Sequence, residues 1–169
     1  MDVYFDNTIV SAIAKRDTPA ETEAIVRVLR ADAAGRLRLW TSEVTKEEID
    51  RYEGEAKPTV EAIYLLMKKA NYVKRQELLL AMNVYISPRP DMSYIYYPPL
   101  MADEPLWKEL MSLGLDHLDA HHLMIAVRAG CKIFLTNDGD FLDRHRGSIE
   151  AQYNIRVRRP SEFVVDEGL

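Results

Sequence analysis

The sequence predicts a three-layer α/β/α fold, in which helices cover both faces of a central, mainly parallel sheet. Two observations lead to this prediction. Short apolar stretches typical of buried strands alternate with amphipathic stretches typical of helices along most of the 169 residues. Neither an internal repeat nor a low-complexity segment interrupts the alternation. Because such alternation builds parallel sheets whose ligands collect at the carboxyl ends of the strands, a functional site is expected at that edge.

Turn and capping residues divide the first half of the chain into elements. Thr18 can cap a helix whose first position is Pro19, and Gly35 is suited to its end. Basic residues alternate with apolar ones just after Gly35, as in an edge or half-buried strand. The predicted elements are a strand at 3–6, a helix to about 14, a helix at 18–34, a strand at 37–41, a helix from 42 to about 54, and a helical region from Pro58 that continues as a second helix at 74–84.

The second half begins with a segment rich in proline and tyrosine. Residues 87–105 contain five prolines and three tyrosines, which predicts a long loop. Regular alternation then resumes, and Gly130 is suited to the end of a helix. The predicted elements are a helix at about 104–113, a helix at 116–129, a buried strand at 132–136, a turn at 137–140, a helix containing Phe141 and Leu142, a strand at 155–157, and a short helix after Pro160.

Composition limits the classes of protein to consider. A chain that is 47% hydrophobic suits one domain over residues 1–169. No stretch approaches the roughly 18 apolar residues of a membrane span, and a start containing Asp2 does not resemble a signal peptide, so a cytoplasmic protein is expected. Cys131 is the single cysteine, which excludes an internal disulfide. The net charge of −5 gives no general attraction to nucleic acid, so a nucleic-acid substrate would require a local basic surface or bound cations.

Four acidic side chains are predicted to converge at the carboxyl edge of the sheet. Asp6 and Asp138 directly follow predicted strands. Glu48 falls in the middle of the apolar face of its helix, where an unpartnered carboxylate would be costly. Asp119 lies on the flank of a helix packing face, and Asp116 projects the same way. Glu48 is therefore expected to have a cation, a metal ion or a hydrogen-bond network as its partner, or to face a cleft.

Each acid also has an ordinary structural interpretation. Asp138 and Asp140 could form a turn, and Asp116 could cap a helix whose dipole Asp119 opposes. Their combination favours a functional interpretation, because clustered carboxylates repel one another unless a cation compensates them. Hard divalent ions such as Mg²⁺ prefer oxygen ligands, and one or two such ions can activate water for attack on a phosphodiester. The pattern therefore predicts phosphoryl chemistry.

Five segments resemble a known family in their order and spacing. They are a strand ending in Asp6-Asn7-Thr8-Ile9-Val10, Ser42 followed by Glu48-Ile49, Asp119-Ala120 leading a helix to Gly130, Phe134 to Phe141, and Ile155-Arg156-Val157 before Pro160. Together they resemble the PIN-domain ribonucleases, which include the toxins of bacterial and archaeal toxin–antitoxin pairs. The resemblance covers nearly the whole chain except about 59–114.

The resemblance implies a metal-dependent ribonuclease that uses Mg²⁺ or Mn²⁺ to cleave RNA. It implies that the catalytic, metal-binding acids are Asp6, Glu48, Asp119 and Asp138. Asp140 would be an auxiliary ligand, with Thr136, Asn7 and Asp116 in supporting positions. The first motif departs from the family pattern, because a hydroxyl residue more often follows the acid directly and here Asn7 precedes Thr8. Expected partners are an RNA substrate, an antitoxin protein and a second copy of the chain in a homodimer.

Basic and histidine residues offer weaker signals. The arginines Arg144, Arg146, Arg156 and Arg158 could supply the local positive surface that RNA requires, or could simply be solvated. His117 and His121 are spaced one helical turn apart, with His122 alongside, as in a zinc pair. Hydrogen-bonding histidines are the alternative interpretation.

Two other functions fit parts of the pattern. A phosphatase of the haloacid dehalogenase type also begins with a strand that ends in aspartate. That family usually has a second acid or a Gly-Thr pair shortly after the first aspartate, whereas Thr8 and Ile9 stand there in this chain, and Glu48 would have no role. A non-catalytic RNA-binding module of the same fold is the second alternative, although it would not require four acids.

Overall fold

A computed structural model of the protein describes residues 1–15, 18–67, 71–73 and 105–169. The described strands are β1 (Asp2–Phe5), β2 (Arg38–Ser42), β3 (Asn71–Val73), β4 (Ile133–Leu135) and β5 (Arg156–Arg158). The described helices are α1 (Asn7–Lys15), α2 (Pro19–Ala33), α3 (Glu43–Arg51), α4 (Lys57–Met67), α5 (Pro105–Ser112), α6 (His117–Arg128), α7 (Arg146–Tyr153) and α8 (Pro160–Glu167), with a π-helical segment at Asp140–His145 directly before α7.

The strands form one parallel sheet in the order β3-β2-β1-β4-β5. The first strand lies at its centre, where Val3 is in register with Leu39 of β2 and with Ile133 of β4. Because all four strand pairs are parallel, the carboxyl ends of β1, β2 and β4 meet at one edge. The loops that follow these strands therefore lie side by side.

Successive residues of β1 point into two separate cores, as the pleat of a strand requires. Val3 and Phe5 pack with apolar residues of α1, α2, α4 and α8 on one face of the sheet. Tyr4 packs with Phe134 of β4 and with residues of α5, α6 and α7 on the other face. Helices therefore cover both faces, and the predicted three-layer α/β/α fold is confirmed.

The structure decides one detail in the first half of the chain and corrects another. Of the two alternatives predicted for β2, an edge strand or a half-buried strand, it shows the half-buried strand, because β3 pairs along its outer side and Arg38 is exposed while Leu39 is buried. The helix α3 ends at Arg51 rather than near Gly54, because Tyr52 adopts an extended backbone conformation. Gly54 serves a different purpose: a Cβ atom there would lie 2.1 Å from the hydroxyl oxygen of Tyr52, so only glycine leaves room for that ring as it stands.

Two predicted elements fall on parts of the chain that the structure does not describe. The predicted helix at 74–84 lies outside the described residues, as does the predicted loop at 87–105 apart from its last residue, Pro105, which begins α5. Among the helices that are described, none is long and apolar enough to cross a membrane.

Candidate active site at the carboxyl edge of the sheet

Asp6 lies at the central point of this edge. Its backbone N–H donates to the carbonyl oxygen of Leu135 at 3.1 Å, which extends the pairing of β1 with β4 by one residue. The side chain is only 5% exposed. A buried carboxylate requires hydrogen-bond donors or a cation, and the donors come from the start of α1 and from the residue that follows β4.

Three donors hold the Asp6 carboxylate. The backbone N–H of Asn7 donates to Oδ1 at 2.6 Å. The hydroxyls of Thr8 and Thr136 both donate to Oδ2, each at 2.7 Å. Thr8 thus supplies a hydroxyl to Asp6 although Asn7 stands between them in the sequence. The unusual residue order at this motif still provides the hydroxyl donor.

The two threonines also position the loop that follows β4. The Thr8 hydroxyl oxygen accepts from the backbone N–H of Asn137, and that of Thr136 accepts from the N–H of Asp138, both at 2.9 Å. Asp138 in turn accepts from the N–H of Asp140 at 2.7 Å. Each hydroxyl therefore donates to Asp6 and accepts from this loop, which fixes the Asp138 backbone beside Asp6.

Glu48 reaches the same edge from α3 and pairs with His122 of α6. The Nε2–H group of His122 donates to Oε2 of Glu48 at 2.6 Å. The same nitrogen lies 3.8 Å from Oδ1 of Asp6, and the His122 side chain is 1% exposed. The imidazole therefore joins the two acids from below, on the sheet side of the site. His122 is therefore the hydrogen-bond partner that was expected for Glu48 from its position on the apolar face of a helix.

Tyr4 and Ser42 hold the other side of the His122 ring. Nδ1 of His122 lies 2.9 Å from the Tyr4 hydroxyl, which lies 2.7 Å from Oγ of Ser42. Burial raises the pKa of Tyr4 well above its usual value, so the phenol stays neutral. Burial alone would lower the pKa of His122, but the hydrogen bond to Glu48 and the charge of Asp6 outweigh it and raise the pKa. These contacts fix the orientation of the imidazole.

The surroundings of Asp119 favour its protonated form. Burial raises its pKa most, and repulsion from Asp116, Asp6 and Asp138 adds to this effect, so that the pKa is about 7. Asp116 caps α6, because its Oδ1 accepts from the N–H groups of Leu118 and Asp119, each at 2.8 Å. Asp116 is therefore a helix cap, as the structural interpretation of this residue predicts. Asp119 is the half-buried acid whose charge a bound cation would stabilise most.

The arginines proposed for RNA binding are engaged in ion pairs. Arg144 pairs with Asp140 at 3.1 Å one turn away. Arg146 contacts Glu162 of α8 at 3.0 Å. On β5, Arg156 pairs with Glu167, and Arg158 pairs with Glu150 and Asp166. These contacts compensate the positive charges locally, and RNA binding by the four arginines stays a prediction.

The chemistry of the donors fits a hard divalent cation. The acids offer carboxylate oxygens, and buried Oδ1 atoms of Asn7 and Asn137 have no hydrogen-bond partner among the described residues. As placed, however, the described residues contain no group of three or more His, Cys, Asp or Glu side chains arranged to hold a metal. The rings of His117 and His121 instead pack edge to face, 4.3 Å apart, and both contact Trp107. The metal ligand set therefore stays a prediction.

His122 is the principal site residue that the sequence analysis missed as part of the acidic site. It follows Asp119 by three positions on a helix, so the two side chains share a face. That spacing is the signal in the sequence that indicates His122 as a neighbour of the acids. Its partners Tyr4 and Ser42 gave no signal, because strand residues with apolar neighbours are normally core residues.

Comparison with known proteins supports the fold. No family model matches the chain, and no curated protein does. Among solved structures, a chain in the crystal structure of VapBC2 from Rickettsia felis, bound to a DNA fragment from their promoter, is similar with a TM-score of 0.54. The match has 11% sequence identity and covers 94% of this chain and 98% of that chain. This similarity shows the fold. The two chains therefore share the parallel α/β/α arrangement.

Proposed function

We propose that the protein is a metal-dependent ribonuclease of the PIN type that hydrolyses RNA phosphodiesters. One observation carries the proposal: Asp6, directly after β1, and Glu48 of α3 converge on the imidazole of His122 at the carboxyl edge of the sheet. Asp119 is predicted to share this site, where burial and, after it, repulsion from Asp116, Asp6 and Asp138 raise its pKa to about 7. Acids from four separate elements share one edge of the sheet. Carboxylate oxygens are the ligands that a hard divalent cation prefers.

The chain's own residues would each have a distinct role. Mg²⁺ or Mn²⁺ bound by Asp6, Glu48, Asp119 and Asp138 would supply an activated water and charge stabilisation for the phosphate. Thr8 and Thr136 hold Asp6 in one orientation. His122 holds Oε2 of Glu48.

The structural neighbour extends the proposal to partners. VapBC2 is a toxin–antitoxin complex with a PIN-domain toxin. By analogy we propose that this protein acts as the toxin of such a pair, binds an antitoxin protein and forms a homodimer. The likeness rests on fold alone, at 11% identity, so the ribonuclease activity is the part to test first.

The test is cleavage of a panel of single-stranded and structured RNAs. We expect cleavage with Mg²⁺ or Mn²⁺, none with EDTA, and at least about a hundredfold lower activity in Asp6→Asn and Asp119→Asn. Asp50→Asn is a matched control, because Asp50 lies on α3 near Glu48 but pairs with Lys46 at the surface.

Two outcomes would favour the alternatives. Release of phosphate from a small phosphomonoester without any RNA cleavage would indicate a phosphatase. RNA binding without turnover, in the presence of either metal, would indicate a non-catalytic module. Metal-independent cleavage, or full activity of both aspartate variants, would contradict the proposed mechanism.

A further inference from the structure

A cavity of about 270 Å³ adjoins the acidic site on the side of Glu48. It lies among α1, α3, α4 and the start of α6. Its lining residues are Asn7, Ser11, Glu48, Ile49, Arg51, Tyr52, Val60 and Leu118. None of the roles described above uses this space. The cavity shares Glu48 and Asn7 with the acidic site, so a molecule bound at the acids would reach it directly.

The base of the cavity is apolar and preformed. Ile49 and Val60 are 2% and 1% exposed and belong to the core. The Tyr52 ring forms one wall, and its place depends on the missing side chain of Gly54, as described above. The Tyr52 ring suits contact with a planar base, since aromatic side chains pack against nucleobase faces.

Asn7 gives the cavity a polar contact beside the acids. Its backbone N–H donates to Asp6, while its side-chain Oδ1 is buried without a hydrogen-bond partner among the described residues. A buried amide oxygen without a partner costs free energy. A small side-chain rotation toward the cavity would let the amide pair with the polar edge of a base. Ser11, one turn further along α1, lines the same space.

Arg51 supplies a cation at the rim. It is exposed and follows Glu48 by three positions on α3, so both side chains lie on neighbouring parts of one helix face. Arg51 forms no ion pair with any residue in the described part of the chain, in contrast to the paired arginines Arg144, Arg146 and Arg158. Among the described residues, nothing neutralises this cation, and a guanidinium at the rim would suit a phosphate.

We infer that the cavity receives the base of an unpaired RNA nucleotide next to the scissile phosphate, and that Arg51 contacts the adjoining phosphate. This inference rests on the proposed function and assigns it a substrate class. The base packs against Tyr52 and the apolar floor, and its edge meets Asn7. A base within a duplex cannot enter such a cavity, so the preferred substrate is single-stranded or has an unpaired base at the cleavage position.

The test measures binding separately from cleavage. The full chain is titrated, in EDTA, into fluorescent six-nucleotide oligouridine and into an abasic strand of the same length. Wild type is expected to bind oligouridine about five- to tenfold more tightly than the abasic strand. Ser11→Leu fills the cavity and should abolish that difference. Arg51→Gln should weaken binding to both strands and reduce the slope of log affinity against log salt by about one.

Two further variants control for general effects. Arg30→Gln removes an exposed arginine of α2 that has no ion pair among the described residues, and it should bind as wild type does. Gly54→Ala displaces the Tyr52 ring without touching an acid, so it should reduce the preference for oligouridine as Ser11→Leu does. Thermal unfolding of each variant shows whether it folds. If a cavity variant does not fold, the binding measurements on Arg51→Gln, which changes only the surface, decide whether the inference holds.

The outcomes separate this inference from the proposed function. If wild type cleaves RNA but Arg51→Gln binds like Arg30→Gln, the inference is wrong and the ribonuclease stands. Equal affinity of wild type for oligouridine and the abasic strand would also overturn it. If wild type shows the predicted base preference but cleaves no RNA with either metal, the cavity is a base-binding site and the catalytic proposal fails.

Discussion

Nε2 of His122 lies 2.6 Å from a carboxylate oxygen of Glu48 and 3.8 Å from one of Asp6. The two acids come from different elements, yet one buried imidazole faces both. Because Tyr4 and Ser42 fix the opposite side of the ring, the imidazole cannot turn away without breaking a buried hydrogen bond. His122 therefore sets the distance between Glu48 and Asp6, and with it the geometry available to a cation.

Replacing His122 tests this positioning role. His122→Leu removes the partner of Glu48 and one of the two partners of the Tyr4 hydroxyl, so we expect a loss of about 1–3 kcal/mol in the free energy of unfolding. We also expect about 10- to 100-fold lower RNA cleavage and a higher Mn²⁺ concentration for half-maximal activity, as outer-shell changes at metal sites produce. His117→Leu, an exposed position on the same helix, is the control. Unchanged metal dependence in His122→Leu would assign the histidine a purely structural role.

The raised pKa of Asp119 predicts how stability depends on pH in EDTA. Between its usual value of 3.8 and about 7, the native carboxyl binds more protons than the unfolded one, so the free energy of unfolding falls as pH rises through this window. Asp119→Asn should remove this fall and be more stable than wild type at pH 8. Solvent screening of the half-exposed group limits the gain to about 1–2 kcal/mol.

Urea unfolding of wild type and Asp119→Asn at pH 5 and pH 8 measures this difference. His122, whose pKa is also raised, contributes stability at low pH that is lost at higher pH, and both proteins retain this residue. If the two proteins lose equal stability between the two pH values, Asp119 is not the group responsible. Adding Mn²⁺ should stabilise wild type more than the variant at pH 8.

We expect the Thr136 hydroxyl to contribute to the free energy of unfolding through two hydrogen bonds. Thr136→Val keeps the shape but removes a donor to Asp6 and the acceptor of the Asp138 N–H. We expect a loss of about 1–3 kcal/mol, since both groups are wholly or partly buried. Thr22→Val is the control, because its hydroxyl bonds only to an exposed backbone oxygen. A double-mutant cycle with Thr8→Val should show coupling, because both hydroxyls serve one oxygen of Asp6. Additive effects would contradict that shared role.

Local patterns predicted the fold well where an element has several residues and a clear boundary. Asp6 after an apolar strand and Pro19 after Thr18 are such cases. The three residues of β3 are too few to show alternation, so that strand and the interior place of β2 could not be predicted. The contact of Glu48 with His122 joins residues 74 positions apart. Only the folded sheet brings them together. The sequence therefore predicted that Glu48 has a partner, but it did not indicate which residue that partner is.

The most direct test of the central claim is the anomalous diffraction of manganese from a crystal soaked in Mn²⁺. We predict a manganese peak coordinated by carboxylate oxygens of Asp6 and of at least one of Glu48, Asp119 and Asp138, and we predict that Asp6→Asn loses this peak. A soaked crystal whose manganese binds elsewhere, with these four carboxylates free of it, would contradict the account.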